Sequence, residues 1–376
     1  MSTIRYGLVG AGMMGQEHIR NIALMEGAEV AALADPDAGM RALAADLAGG
    51  PIRIFEDYRA MLAADLCDAY LIAAPNDLHF VMMKDVLATS RAIICEKPLA
   101  IRASECRELM RLAEGRAAPV WVAMEYRYMP PVARLIEEVH AGTAGAPRMM
   151  SVREHRFPFL KKVGDWNRFN ARTGGTLVEK CCHFFDLMRV VLRADPVRVY
   201  ASAGADVNHK EERYADVEPD ILDNAFVTID FANGTRAMLD LCMFAEGSYW
   251  QEVISVTGDR ARVDAFVPGP SRFTRDRRER HAEIAISDRM ERAERREIVH
   301  VDEQILRAGD HHGSTFFQHQ RILDLVRRGR GVPEVGLVDG YWSVLVGEAA
   351  EASARQRKPI DLCADLAPAP GAARVG

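Results

Sequence analysis

Hydrophobic positions follow two regimes along this chain. Through about the first 125 residues, short continuous apolar runs alternate with segments of helical spacing. The runs are Ile4–Val9, Glu29–Ala34, Arg53–Phe55, Asp68–Ala73, Ala92–Cys95 and Val120–Ala123. Helical patterns begin near Gln16, Asp37, Tyr58, Leu78 and Ala103. Strands that are apolar throughout are covered on both faces, which means a parallel sheet between helices. From about Pro147 the pattern changes, and Arg148–His155, Val197–Gly204, Ala225–Phe231, Arg236–Phe244, Glu252–Thr257 and Arg262–Phe266 read as strands. Ala282–Ser287 and Glu297–Val301 extend the series, and Ala232-Asn233-Gly234-Thr235 is a hairpin turn. Helices interrupt it near Thr176–Leu192, Thr315–Arg328 and Tyr341–Arg355. The fold class expected is α/β plus α+β. An N-terminal Rossmann doubly wound parallel sheet covers 1–127. A C-terminal domain with a large, open, mostly antiparallel sheet flanked by helices covers 128–366, and a disordered tail 367–376.

Composition narrows the function classes. A chain of 376 residues with 49% hydrophobic content builds two cores. A net charge of -6 argues against nonspecific nucleic-acid binding, and the arginines from Arg272 to Arg296 alternate with acids, as in a solvated hairpin. No apolar run reaches the length of a membrane span. The N-terminus runs straight into the first strand, leaving no room for a signal peptide. Scattered cysteines without zinc-ribbon spacing fit reduced thiols in a cytoplasmic protein.

The first strand leads into Gly10-Ala11-Gly12-Met13-Met14-Gly15 and a helix, the strand–turn–helix context in which GxGxxG binds a dinucleotide. Gly10 permits the tight turn, Gly12 lets the backbone approach a pyrophosphate, and Gly15 lets the helix pack on the strand. The second strand ends in Asp35, twenty positions past Gly15. A carboxylate there bonds a ribose 2′-hydroxyl and repels a 2′-phosphate, favouring NAD over NADP. The strand Ala92–Cys95 runs into Glu96-Lys97-Pro98, placing Lys97 where open α/β sheets hold their ligands. Burial or a nearby cation would bring such a lysine towards the working pH of an acid/base group.

A second constellation lies at Thr173 to Asp186. Glu179 and His183 are four apart, so on a continuous helix they share a face, and the carboxylate orients the imidazole and raises its basicity. Cys181-Cys182-His183 are adjacent and splay around a helix, so no metal site is expected. Candidates for binding substrate hydroxyls are Tyr126, Arg127, Trp166, Asn167 and His312, with Trp166 able to stack on a sugar face.

Together these residues resemble the Gfo/Idh/MocA oxidoreductase family (glucose–fructose oxidoreductase, inositol dehydrogenase and rhizopine-catabolism proteins) from Ile4 to about Leu362. The likeness rests on Gly10–Gly15, Asp35, Ala74-Pro75-Asn76 with His79, Glu96-Lys97-Pro98, the helix of His183 and Asp186, and the closing stretch Glu334–Gly340. It implies that Ala74, Pro75, Asn76, His79 and Glu96 belong to the cofactor pocket and that the Lys97–Pro98 bond is cis. It implies that Lys97 projects towards substrate and nicotinamide. One departure stands out. Family polyol dehydrogenases usually carry aspartate four residues before the histidine, where this chain has Glu179, whose partner is His183, Lys97 or a substrate hydroxyl.

The function expected is reversible hydride transfer between NAD and a secondary alcohol of a sugar, inositol or derivative. Lys97, His183 and Glu179 would be catalytic, and the sequence leaves open whether Lys97 or His183 moves the proton. Alternatives are an NAD-dependent glycosidase of the same fold and a non-catalytic sugar sensor. An exposed sheet face of this size also points to a homodimer or homotetramer.

Overall fold

The computed structural model describes residues 3–278 and 280–362, so the tail at 367–376 lies outside the described residues. Strands β1 (Ile4–Val9), β2 (Ala28–Ala34), β3 (Arg53–Phe55), β4 (Ala69–Ile72), β5 (Ala92–Glu96) and β6 (Val120–Ala123) form a parallel sheet in the order β3-β2-β1-β4-β5-β6. Every residue of β4, β5 and β6 is buried, as continuous apolar runs require. The order reverses between β1 and β4, and ligands bind beyond the strand ends at such a switch point. Gly10 sits there with φ +103°, and a Cβ on it would lie 2.6 Å from the Ala73 carbonyl oxygen. Only glycine lets these two strand ends come this close.

The second sheet has strands β7 (Pro147–His155), β8 (Pro196–Gly204), β9 (Asn224–Phe231), β10 (Arg236–Cys242), β11 (Trp250–Gly258), β12 (Ala261–Pro268), β13 (Ala282–Asp288), β14 (Ala293–Val299) and β15 (Ile360–Asp361). Their order is β14-β13-β12-β11-β7-β10-β9-β8-β15, antiparallel except where β7 pairs parallel with β10. At the β9–β10 turn Gly234 takes φ +82° and Asn233 Oδ1 accepts the Thr235 N–H at 3.1 Å, the chemistry expected of Asn-Gly.

On one face of this sheet Val152, Val199, Val227, Leu239, Ile254 and Val263 are fully buried beneath helices Pro130–His140, Cys182–Leu192 and Leu337–Gln356. Each such side chain contributes about 1.5–3 kcal/mol by leaving water. The opposite face exposes Met149, Tyr200, Phe226 and Met238. Helix Leu337–Gln356 also packs against helix Ala103–Leu112, tying the two sheets together.

Several elements differ from the sequence reading, strand β15 among them. Helix Pro130–His140 was not expected there, although prolines in a first turn favour helix starts. Helix Glu303–Ala308 is also additional. The single helix expected over Thr176–Leu192 is broken into Thr176–Glu179 and Cys182–Leu192. At the break the Cys181 N–H reaches back five residues to the Thr176 carbonyl, a widened turn of the kind often found at functional sites.

Candidate active site

Helix Met13–Ala23 begins after Gly12 with no side chain capping its first turn, leaving N–H groups and positive potential for an anion. A Cβ on Gly15 would lie 2.3 Å from the Gly10 carbonyl oxygen, whereas one on Gly12 would meet nothing within 4 Å. Gly15 therefore serves packing, and Gly12 faces open space where a phosphate can approach. Asp35 is fixed beside the turn: its Oδ2 accepts the Ala11 N–H at 2.7 Å and its Oδ1 the Asp37 N–H at 2.8 Å. Each oxygen keeps a lone pair for a ribose hydroxyl. Asn76 is 5% exposed, and its Nδ2 has no partner. The uncapped helix, the space at Gly12 and the orphan amide fit a dinucleotide.

Two residues expected in that pocket are engaged elsewhere. His79 is fully buried, with Nδ1 2.8 Å from the Pro98 carbonyl and Nε2 3.0 Å from the Ala74 carbonyl. It braces the Ala74–Pro75 turn against the cis Lys97–Pro98 peptide. Glu96 points under helix Met13–Ala23, with Oε1 2.9 Å from His18 Nε2.

Lys97 does meet the second constellation. Its Nζ donates to the Glu179 backbone carbonyl at 3.1 Å. Burial works to lower its pKa, but Cys182, Glu179, Glu96 and Glu125 carry it above the ordinary lysine value. Burial pushes the Cys182 thiol itself up to about 12, so at neutral pH the carboxylates do this work. Lys97 is thus an ammonium, not the depressed lysine expected from burial alone.

His183 is 2% exposed and its Nδ1 has no partner. Burial first, then Lys97 and Lys180, hold its pKa well below the ordinary value, so it is neutral. Its ring stacks on Tyr126, with centroids 4.0 Å apart and planes 9° apart. Glu179 does not pair with it, because the break at Lys180-Cys181 removes the continuous helix on which the four-residue spacing relied. Glu179 Oε1 instead takes Lys162 Nζ at 3.2 Å, and its Oε2 is buried without a partner. The Lys162 ammonium in turn lies 4.3 Å from the Trp166 ring centroid.

Beneath His183 lies a buried ionic layer. Glu154 on β7 and Glu252 on β11 stand directly opposite each other on the helix-covered face. Lys180 Nζ lies 2.8 Å from Glu154 Oε1 and donates to the Tyr126 hydroxyl at 2.6 Å. Burial, then the facing Glu154, pushes Glu252 up to about 7. Beside Tyr126, His311 Nδ1 lies 2.9 Å from Glu17 Oε1 and 3.4 Å from Glu125 Oε1. Thr315 Oγ1 bonds both carboxylates. Its single proton serves only one of them, and burial raises the pKa of Glu125 above the ordinary carboxylate value.

Tyr126, Arg127, Trp166 and Asn167 have other partners, whereas the buried Nε2 of His312 has none. Tyr126 is 1% exposed and occupied by Lys180. Arg127 forms a buried pair with Asp186, Nε to Oδ2 at 2.6 Å, and donates to the Glu334 carbonyl at 2.9 Å. Asn167 is fully buried and donates to the Leu160 carbonyl at 2.9 Å. His312 has φ +51° and falls to about 4 through burial, while its neighbour His311 joins the cluster at Tyr126. Lys162, Lys180, Glu154 and Glu252 were missed. Glu154 and Glu252 left a signal, charged residues at core-facing positions of alternating strands; Lys162, in an irregular segment, left none.

Residues 4–124 match the oxidoreductase family's NAD-binding Rossmann fold, and 136–362 its C-terminal alpha/beta domain. The chain belongs to the Gfo/Idh/MocA oxidoreductase family. Within this family it is 33% identical to the rhizopine catabolism protein MocA of Rhizobium meliloti over 52% of this chain and 59% of that protein, less than two thirds of its length. It is 27% identical to an inositol 2-dehydrogenase of Rhizobium meliloti over 70% of this chain and 76% of that one. Levoglucosan dehydrogenase, solved with NADH and levoglucosan, shares the family fold at a TM-score of 0.80, with 19% identity, covering 96% of this chain and 100% of that one. Among the described residues no helix is long and apolar enough to cross a membrane.

Proposed function

We propose that this protein is an NAD-dependent dehydrogenase acting on a secondary alcohol of a sugar, an inositol or a related polyol. The observation that carries the reading is the meeting of Lys97, from the end of β5, with the Glu179–His183 segment packed on the other sheet. That meeting lies beside a glycine turn suited to a dinucleotide. Related proteins named inositol 2-dehydrogenase and MocA support a polyol-type substrate. Asp35, held at the turn, favours NAD over NADP.

The nicotinamide, when bound, supplies the hydride acceptor or donor at the carbinol carbon. His183, neutral and with an unpartnered ring nitrogen, takes the hydroxyl proton. The Lys97 ammonium donates to the developing alkoxide and stabilises it in a site shielded from water. Low basicity makes protonated His183 a strong acid, suited to returning the proton in the reduction direction. The free Oε2 of Glu179 accepts a substrate hydroxyl, while Lys162 holds Oε1. A second copy of the chain covers the sheet face bearing Met149, Tyr200, Phe226 and Met238, giving a dimer or tetramer. The free thiols fit the reducing cytoplasm.

The test is NADH formation across inositols, aldoses, anhydrosugars and sugar acids, with NADP run in parallel. Turnover with one polyol class and NAD supports the reading. NAD retained with glycoside cleavage and no net NADH would replace it with a glycosidase. Binding without turnover across the panel would replace it with a sensor.

A further inference from the structure

Tyr126 joins Lys180 to His183. It lies on the turn Glu125–Tyr128, just past β6, and β6 pairs with β5 so that Ala123 stands beside Glu96, the residue before Lys97. Lys180 and His183 flank the helix break in the segment packed on the other sheet. Tyr126 meets both of them. Its hydroxyl accepts a hydrogen bond from Lys180 Nζ at 2.6 Å. Its ring lies face to face with the His183 imidazole, centroids 4.0 Å apart and planes 9° apart.

The anchor of this arrangement is in the second sheet. Lys180 Nζ lies 2.8 Å from Oε1 of Glu154, a fully buried residue of β7. The Tyr126 ring is also met edge-on by Phe184, with centroids 5.7 Å apart. An acid/base histidine is ordinarily oriented by a hydrogen bond from its other ring nitrogen to a carboxylate or carbonyl. His183 has no such support: its Nδ1 has no partner, and the Glu179 carboxylate is turned to Lys162. Contact with the Tyr126 face takes that place. At 4.0 Å there is room for parallel rings only, so the imidazole cannot swing edge-on without striking Tyr126.

We propose that Tyr126 is the positioning residue for His183: its ring face holds the plane of the imidazole, and the Lys180–Glu154 pair holds its hydroxyl. The proposal rests on the reading of His183 as the group that takes the hydroxyl proton. Tyr126 and Lys97 follow neighbouring strand ends of the first sheet. The stack therefore fixes the His183 imidazole relative to Lys97, although the two residues belong to segments packed on different sheets. An aromatic face also orients the ring without the added basicity that a carboxylate partner brings.

Proton–carbon spectra of full-length protein labelled with ¹³C-histidine test this. The chain has eleven histidines, and the His183 signals are those lost in His183→Gln. Protons over an aromatic face are shielded, so the His183 ring signals should lie upfield of the ordinary imidazole range. Tyr126→Leu should move them downfield. Tyr126→Phe keeps a ring but loses the hydroxyl, so it should move them part of the way. Lys180→Met combined with Glu154→Gln removes the anchor without stranding a buried charge, and should match Tyr126→Phe. Adding Tyr126→Phe to that pair should move the signals no further. With an active substrate, Tyr126→Leu should lower kcat about tenfold or more, while the sugar KM changes less than about twofold. Unmoved His183 signals in folded Tyr126→Leu or in folded Tyr126→Phe, judged by cooperative melting, overturn the proposal. Moved signals with an unchanged kcat would overturn the reading of His183 on which it rests. The spectra need no turnover, so their failure is distinct from a failure to find a substrate.

Discussion

The side chain of Lys97 is held by the backbone carbonyl of Glu179, at 3.1 Å, and not by a carboxylate. A main-chain acceptor fixes the position of Nζ without neutralising its charge, and it survives any substitution of the Glu179 side chain. The Glu179 carboxylate is left to do something else. It holds Lys162 on one oxygen, and the other is buried and unpartnered.

Glu179→Gln should therefore leave the Lys97 contact intact while weakening the grip on Lys162 and on a substrate hydroxyl. The expected effect is a rise in sugar KM of about tenfold with a smaller fall in kcat, read from steady-state kinetics. A collapse of kcat with KM unchanged would place the carboxylate in the proton transfer instead.

Asp35→Ala should weaken NAD binding by about tenfold, and it should narrow the preference over NADP because the repulsion of a 2′-phosphate is gone. Titration of the two cofactors by calorimetry measures both. Equal weakening of NAD and NADP would show that Asp35 serves only to brace Ala11 and Asp37.

Arg127 was legible in the sequence as a polar residue after the last strand of the first sheet, but its role was not. It is 9% exposed and paired with Asp186, which is 1% exposed. Removing one member of a buried pair strands the other charge, so Arg127→Met should cost about 3–5 kcal/mol of stability. Thermal or urea melting measures this. A variant as stable as the parent but unable to bind sugar would return Arg127 to the substrate site.

Stability should fall on the alkaline side. Burial opposes ionisation of His311, but Glu125 and Glu17 raise it to about 9. Its contribution is complete below about 6.5 and is lost as pH rises through about 9. Burial and Glu154 raise Glu252 to about 7, so it acts in the same direction earlier, as pH rises through about 7. Glu17, held down to about 2 against its burial by His311, adds stability above about 4.5 that is lost towards pH 2. The melting temperature should therefore decline from pH 6 to pH 9.5, and His311→Asn should flatten the upper part of that decline. A parent protein equally stable at both ends would contradict these assignments.

The first sheet was readable because its strands are continuously apolar, and Gly10 and Gly15 are each required by a close backbone approach. The second sheet was readable from alternation and from Asn233-Gly234. The break at Lys180-Cys181 was not, since no glycine or proline marks it and the apolar spacing runs straight through. That break moves Glu179 off His183. Lys162 escaped notice because a lysine in an irregular polar segment carries no periodic signal; only the fold brings it to Glu179. His18 lay next to the fingerprint, but its partner Glu96 is far along the chain, and such pairs have no local signature. His311 and His312 are adjacent, and only the backbone geometry decides which of them meets the site.

Single-turnover NADH formation by the parent and by Lys97→Met, with NAD saturating and the best polyol of the panel, measures whether Lys97 acts in the chemical step. Loss of the Lys97 ammonium should slow the chemical step by about 10²–10⁴-fold, with NAD affinity within a few-fold of the parent. A Lys97→Met protein that forms NADH at the parent rate would contradict it.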